Sequence, residues 1–319
     1  MPDDLPTIGE IISNWLGVKL PAIPMKQTLK NFDKALSKIV LATGENFETR
    51  IKRNTAKTKA QGKIDVEGMY RNADEKRKLE NRAGATKAAL EDLRQSPPQD
   101  DAQSEIDDDW LNYFARLVED KSSEELQALF GKILSGEIKR PGSFSLMTMQ
   151  TLALITKSDA ELLSNLLSFA VAGSIVPFQT DDLERPTAAE RLFLEELGVA
   201  GHPNQIGGMQ LDLTAPADNK ILLPAAGNRA LMIINTLSEP AKFMIPGQVL
   251  TTIGRELLPI ANSPPTDFEF LRKVAGNIYG TLKTNFPKPI ENGSLTVQVG
   301  EVQAEGAQMR FLSNFTIDD

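Results

Sequence analysis

The chain has 319 residues, of which 41% are hydrophobic and 24% are charged, a composition that permits a packed core. It contains no cysteine and a single histidine, His202, which excludes disulfides, thiolate nucleophiles and any site built from two imidazoles. The net charge of -8 is uneven, because residues 1–99 hold 18 basic and 13 acidic residues, a net of +5, and the remainder stands at −13. No apolar run reaches the roughly 18 residues of a membrane-spanning helix, and the opening MPDDLP does not resemble a secretory signal, so we expect a soluble, cytoplasmic protein.

Residues 1–95 predict an amphipathic and long charged helical region. Thr7 and Glu10 form a capping-box pattern ahead of a short apolar stripe, and a second amphipathic helix follows through residues 26–40. Two roles stay open for the first helix: docking on another protein, or association with a membrane surface through residues 7–20. The helix lacks the basic polar face typical of membrane-surface helices, which favours docking on protein.

Charge dominates residues 45–95, where 22 of 51 residues are charged, 13 of them basic. The pattern predicts a long, interrupted helix that is polar nearly all round, and such a helix bridges parts of a protein, pairs with a partner or frays. Its basic residues could contact phosphates, although the interspersed acidic residues favour helix pairing. The candidate phosphate contacts are Arg50, Lys52, Arg53, Lys57, Lys59 and Lys63.

Residues 96–109, SPPQDDAQSEIDDD, hold two prolines and six acidic residues with no basic one, and predict a linker. The carboxylates of residues 107–109 could hold a divalent cation, since hard cations prefer oxygen ligands. Their spacing matches no known cation-binding loop, which favours a solvated linker that ends in Asp109 as a helix N-cap.

Residues 110–175 predict a helical domain of four helices. One follows Asp109, and the others are expected to begin at a Ser122–Glu125 capping box, at Ser143 or Ser145, and at a box formed by Ser158 with Glu161.

Residues 176–319 predict an α+β domain in which helices cover a small antiparallel sheet. Helices are expected at 187–197, 248–259 and 266–284, and strands near 209–214, 220–224, 230–235, 294–300 and 307–315. The dipeptide Gly227-Asn228 predicts a hairpin turn. The whole chain is therefore expected to be α+β and mainly helical.

Four stretches carry a resemblance to a known family: Asp109–Leu111, Glu125–Phe130, Ile133–Lys139 and Pro141–Leu146. They resemble the bacterial domain of unknown function 2806, whose hallmark is L(A/S)GEI(K/R)xPGSFSL. The similarity extends over roughly 105–285 and includes an LTxxG(R/K)ELL element at Leu250–Leu258. It implies a fold and a lineage, and no chemistry.

Two looser similarities accompany the first. The helical pattern is distantly similar to the abortive-infection alpha type of bacterial defence proteins, which implies a role in anti-phage defence. The segment Leu250–Leu258, with the helix Leu192–Gly198 before it, looks like winged-helix elements.

The hallmark residues themselves allow two interpretations. Gly136, Pro141 and Gly142 suit a corner fixed by turn chemistry. Alternatively, four polar residues form a rim that binds a partner: Glu137, Lys139, Arg140 and Ser143.

The sequence contains no phosphate-binding loop, dinucleotide fingerprint, zinc-protease or nucleophile-elbow motif. We therefore expect no cofactor, no metal and no catalytic residues. The leading hypothesis is a non-enzymatic interaction or sensor protein that self-associates as an oligomer or captures a protein partner. The alternatives are nucleic-acid binding by the basic N-terminal helix, membrane-surface association, and an enzyme of unknown type whose carboxylates converge only in the folded chain.

Overall fold

A computed structural model describes residues 8–41, 73–177, 185–201, 208–212, 220–235, 242–285, 295–305 and 308–317. The chain divides into two compact units, Met1–Ala160 and Glu161–Asp319. The described residues form ten helices and two small antiparallel sheets, which confirms the predicted α+β class. The finer division of the chain at residues 95, 109 and 175 stays a prediction.

The first unit is helical. Its helices are α1 (Ile8–Leu16), α2 (Lys26–Leu41), α3 (Ala73–Gln95), α4 (Asp108–Val118), α5 (Glu124–Lys139), α6 (Leu146–Leu154) and the start of α7 (Lys157–Leu167). Three fully buried rings, Phe32 of α2, Phe114 of α4 and Phe130 of α5, lie in its core. Phe114 meets Phe130 edge to face, with ring centroids 5.8 Å apart. Because α2 packs against α4 and α5, the N-terminal helices share a core with the predicted helical array.

Helix α3 is the described part of the predicted long charged helix. It is continuous over 23 residues, and the side chains of Ala85, Ala89 and Leu90 are fully buried. Where α3 crosses α5, a Cβ on Gly131 would lie 2.5 Å from the Ala88 Cβ, so the two backbones approach closely. Alanine and glycine contribute little to a hydropathy pattern, and for this reason the sequence did not indicate how deeply α3 is buried.

Three helix caps differ from prediction by one or two residues. Asp107 caps α4 in place of Asp109, and Ser123 caps α5 in place of Ser122. At α7 the Thr156 hydroxyl accepts from the Asp159 N–H while the Asp159 carboxylate accepts from the Thr156 N–H, so this pair replaces the predicted box at Ser158. Each substitute offers a side-chain oxygen of the same kind, which makes neighbouring positions hard to tell apart from sequence.

The second unit combines both element types. It contains the end of α7, then β1 (Ile175–Pro177), α8 (Ala188–Glu196), β2 (Gly208–Asp212), β3 (Lys220–Pro224), β4 (Arg229–Asn235), β5 (Lys242–Val249), α9 (Thr252–Leu257), α10 (Phe268–Asn285), β6 (Leu295–Glu305) and β7 (Gln308–Ile317). The strand orders are β1-β5-β2 and β3-β4-β6-β7, with every neighbouring pair antiparallel. The apolar stripe of α10, which includes Leu271, Val274 and Ile278, packs in one core with inward residues of the larger sheet such as Leu231 and Val297.

Most elements of the second unit lie where the sequence predicts them, and strand β5 is the main exception. The predicted helix at 248–259 begins only at Thr252, because residues 242–249 form the central strand of the smaller sheet. At Gly247 a Cβ would lie 2.6 Å from the Val176 carbonyl oxygen of β1. The glycine allows β1 to approach, and this long-range pairing has no local sequence signal.

Candidate partner-binding surface

The chain turns sharply between α5 and α6, and the buried carboxylate of Glu137 holds this turn. Its Oε1 accepts a hydrogen bond from the Gly142 N–H at 2.6 Å, and its Oε2 accepts one from the Phe144 N–H at 3.2 Å. Charge-assisted bonds of this kind are among the stronger hydrogen bonds in proteins. Glu137 therefore fixes the path of the backbone between the two helices.

Phe144 is held from two further directions. The Trp110 indole N–H donates to the Phe144 carbonyl oxygen at 2.8 Å. A Cβ on Gly136 would lie 2.5 Å from the Phe144 ring, so the ring occupies space that only glycine leaves open. Gly142 adopts a φ of 86°, which other residues rarely adopt. Together these hallmark residues determine the shape of the corner.

The four residues of the predicted polar rim differ in their surroundings. Glu137 is buried, and the Lys139 Nζ lies 3.0 Å from an Asp92 carboxylate oxygen of α3. The Ser143 hydroxyl donates to the Arg140 carbonyl oxygen, and Arg140 itself is exposed. Partner contacts by these four residues stay a prediction.

Directly after the corner, α6 leaves three large apolar side chains exposed. Leu146 is 48% exposed, Met147 66% and Leu154 76%, and with Gln150 they lie on one side of the helix. We call Leu146, Met147, Gln150 and Leu154 the α6 face. The opposite side of α6 buries Met149 and Leu152, in line with the predicted helix.

The position of α6 is fixed at both ends. The Ser145 hydroxyl accepts from the Thr148 N–H at 3.2 Å and caps the start of the helix. The Lys121 ammonium donates to the Ala153 carbonyl oxygen near the end of the helix. The α6 face is therefore presented on a rigid element.

Sequence reasoning missed the α6 face, although the segment LMTMQTLAL carries a signal for it. Its apolar residues fall on more than one side of a helix, and a helix at the edge of a core can bury only one stripe. The apolar residues outside the stripe of Met149 and Leu152 must then be exposed or meet another surface.

The six candidate phosphate contacts, residues 50 to 63, lie outside the described residues. Farther along, the basic residues of α3 contact carboxylates. Arg77 and Lys78 both contact Asp74, and they hold its pKa below the ordinary value through hydrogen bonds, with Arg77 the larger influence. The mostly buried Arg82 guanidinium is ion-paired with Glu119. These three cations are engaged within the first unit.

The acidic segment between α3 and α4 lies along the basic side of α2. The Asp101 carboxylate accepts from the backbone N–H groups of Thr28 at 2.8 Å and Gln27 at 3.1 Å, so it caps the start of α2 and its pKa is lowered. Asp108 lies 2.6 Å from the Lys38 ammonium, which is the main reason that the pKa of Asp108 is lowered. Ala102 and Ile106 of the same segment are buried.

The LTxxG element is also a packing device. The Thr251 hydroxyl donates to the Gly198 carbonyl oxygen at 2.5 Å and accepts from the Gly254 N–H at 3.3 Å, which caps α9. A Cβ on Gly254 would lie 2.2 Å from the Val199 carbonyl oxygen. The element thus joins α9 to the end of α8.

Over the parts of the chain that the structure describes, no three histidine, aspartate or glutamate side chains converge to hold a metal ion. None of the described helices has the length and apolar character needed to cross a membrane.

Comparison with known proteins identifies one family. Residues 70–178 match the family described as Protein of unknown function (DUF2806), which confirms the resemblance to domain of unknown function 2806. The match includes α3 and the corner but not residues 179–285, where the resemblance had been expected to continue. No curated protein and no solved structure matches the chain, and the similarity to abortive-infection proteins stays a prediction.

Proposed function

We propose that the chain, of which residues 70–178 match the DUF2806 family, is a non-enzymatic interaction protein that binds another protein through the α6 face. The observation that carries the proposal is the exposure of Leu146, Met147 and Leu154 on a helix whose ends are both fixed. Single exposed apolar residues are ordinary, but a group on one rigid helix is typical of a binding surface.

The expected partner presents an apolar helix surface. A helix side with leucine and methionine anchors, and without a charged residue in α6, suits packing against the apolar stripe of a second helix. Methionine adapts its shape to different partners, which suits the anchor Met147. Arg140 at the corner would lie at the polar rim of such an interface.

Site-specific photo-crosslinking in cells that express the full chain tests this proposal. A photoreactive residue at position 147 is expected to yield one discrete adduct with another protein, and Leu154→Glu in the same chain is expected to abolish it. The matched control places the photoreactive residue at position 192, because Leu192 of α8 is as exposed as Leu146, at 48% each. The adduct partner is identified by mass spectrometry, and its affinity for the purified chain is then measured with and without Leu154→Glu.

Two results would contradict the proposal. One is an absence of adducts at position 147, and the other is an identical set of adducts at positions 147 and 192. An adduct with a second copy of the chain would make the function self-association, which is the other form of the interaction hypothesis.

The other proposed roles have fewer observations to support them. A cytoplasmic location is proposed from the sequence, and phage defence from resemblance alone, for which plaque counts with and without the gene are the test. If residues 50–63 bind nucleic acid, the affinity is expected to fall steeply as the salt concentration rises. Titrations that show no binding at low salt would exclude this alternative. Membrane-surface association of residues 7–20 competes with the burial of Ile12 in the first unit.

A further inference from the structure

The larger sheet has two edge strands that differ in how they are protected. Within the described residues, β3 is one edge, with five residues bounded by Lys220 and Pro224. The other edge is β7, with ten residues, no proline and Arg310 as its single charge. Natural sheets guard their edges with short strands, lysine and proline, because an open edge can pair with another chain. β3 is short and is bounded by a lysine and a proline, whereas β7 is long and has only Arg310 and a bulge to protect it.

Half of the backbone groups of β7 point away from β6. In an antiparallel ladder, alternate residues bond to one neighbour, so about five residues of β7 direct their N–H and C=O groups outward. The strand has a bulge at residues 313–314 opposite Gly300, which increases its twist and leaves residues on both sides of the bulge at the edge. A further strand can therefore add to β7 through backbone hydrogen bonds.

The side chains of β7 indicate which strand would fit. Arg310 is aligned with Gln303 of β6, and Phe315 is aligned with Val299, two residues that lie on the same face of β6. Arg310 and Phe315 therefore share one face of the sheet. Phe315 packs edge to face on Phe268, and the Arg272 guanidinium lies 5.2 Å from its ring centroid, yet the residue is still 41% exposed.

We propose that β7 pairs antiparallel with β7 of a second copy across a two-fold axis, so that two four-stranded sheets form one sheet of eight strands. Centred on the middle of the strand, this pairing sets each Arg310 opposite Phe315 of the other copy, where a guanidinium can contact a ring face. The two Arg310 side chains then lie roughly 14 Å apart, beyond the screening length of about 8 Å. Two copies that join through the same edge with their sheet faces aligned must pair antiparallel, because the two-fold axis that relates them is then perpendicular to the sheet.

The test is the mass of the purified full-length protein in solution as a function of concentration, by sedimentation equilibrium. The unmodified chain is expected to reach the dimer mass. Phe315→Lys sets a lysine opposite Arg310 and is expected to raise the dissociation constant at least tenfold, whereas Phe315→Glu, which removes the same ring, is expected to keep the dimer. Adding Arg310→Glu to Phe315→Lys reverses both charges and is expected to restore it.

The matched control is Leu222→Lys on the guarded edge β3, because Leu222 is 39% exposed and so resembles Phe315. This variant is expected to dimerise as the unmodified chain does. Thermal unfolding of each variant checks that the fold is retained. A monomer at every concentration would overturn the proposal, as would a dimer that Phe315→Lys and Phe315→Glu affect equally. Changes in the α6 face are expected to leave this dimer intact, so the two proposals can fail separately.

Discussion

Helices α3 and α6 of the first unit have opposite compositions, and in each helix the burial of key side chains is the reverse of what the composition suggests. Eleven of the 23 residues of α3 are charged, yet its small side chains and leucines lie in the core. None of the nine residues of α6 is charged, yet three of its large apolar side chains are exposed. The comparison shows that burial depends on the spacing and size of a few residues on one side of a helix, and that mean hydropathy is a poor guide to it.

The most direct test of this difference in burial is a leucine-to-alanine substitution made in each helix. Leu90→Ala in α3 removes a fully buried side chain and is expected to lower the free energy of unfolding by about 2–5 kcal/mol. Leu154→Ala in α6 removes a side chain that is 76% exposed, and the expected change is within about 0.5 kcal/mol. Urea unfolding followed by circular dichroism measures both, and equal losses would show that the assignment of buried and exposed helices is wrong.

The corner that presents α6 gives the next largest effect. Glu137→Ala leaves the N–H groups of Gly142 and Phe144 without their carboxylate partner, and it is expected to cost about 2–4 kcal/mol. The control at the same corner is Arg140→Ala, which removes an exposed side chain and is expected to change stability by less than about 0.5 kcal/mol. If Glu137→Ala unfolded at the same urea concentration as the control, the carboxylate would have no structural role.

The close crossing of α3 and α5 gives a smaller effect. In Gly131→Ala the new Cβ lies 2.5 Å from the Ala88 Cβ and 2.8 Å from the Ala89 backbone nitrogen, and overpacking of this kind costs about 1–3 kcal/mol. Gly276→Ala in α10 is the control, and it is expected to raise stability. Beyond the helix's own backbone no atom lies within 4 Å of that Cβ, and alanine favours a helix by about 1 kcal/mol relative to glycine. Thermal unfolding should lower the midpoint for the first variant and raise it for the second.

The same regions show which features of the fold the sequence could predict. Local patterns predicted most helices, the hairpin turn at Gly227-Asn228 and the corner between α5 and α6, because capping residues, glycines and apolar spacing act within a few residues. Strand β5, the burial of α3 and the exposure of α6 depend on partners far along the chain, which no local pattern contains. The contact of Lys139 with Asp92 was not predicted for the same reason, since it joins two helices that are far apart in the sequence.

The acidic segment extends the comparison to charged residues outside a helix, and its effect is expected to be the smallest. Backbone N–H groups of Thr28 and Gln27 hold the pKa of Asp101 below its ordinary value, so the folded state favours the carboxylate. The resulting stability is fully present above the pKa of the unfolded chain, about 3.9, and is lost as the pH falls through the lower pKa of the folded state. Asp101→Asn should therefore unfold at a lower urea concentration than the unmodified chain at pH 7, and the gap should close in acid. Asp100→Asn, which alters the neighbouring carboxylate, should show no such closing gap. A gap for Asp101→Asn that stayed constant from pH 7 into acid would mean that the Asp101 charge does not stabilise the start of α2.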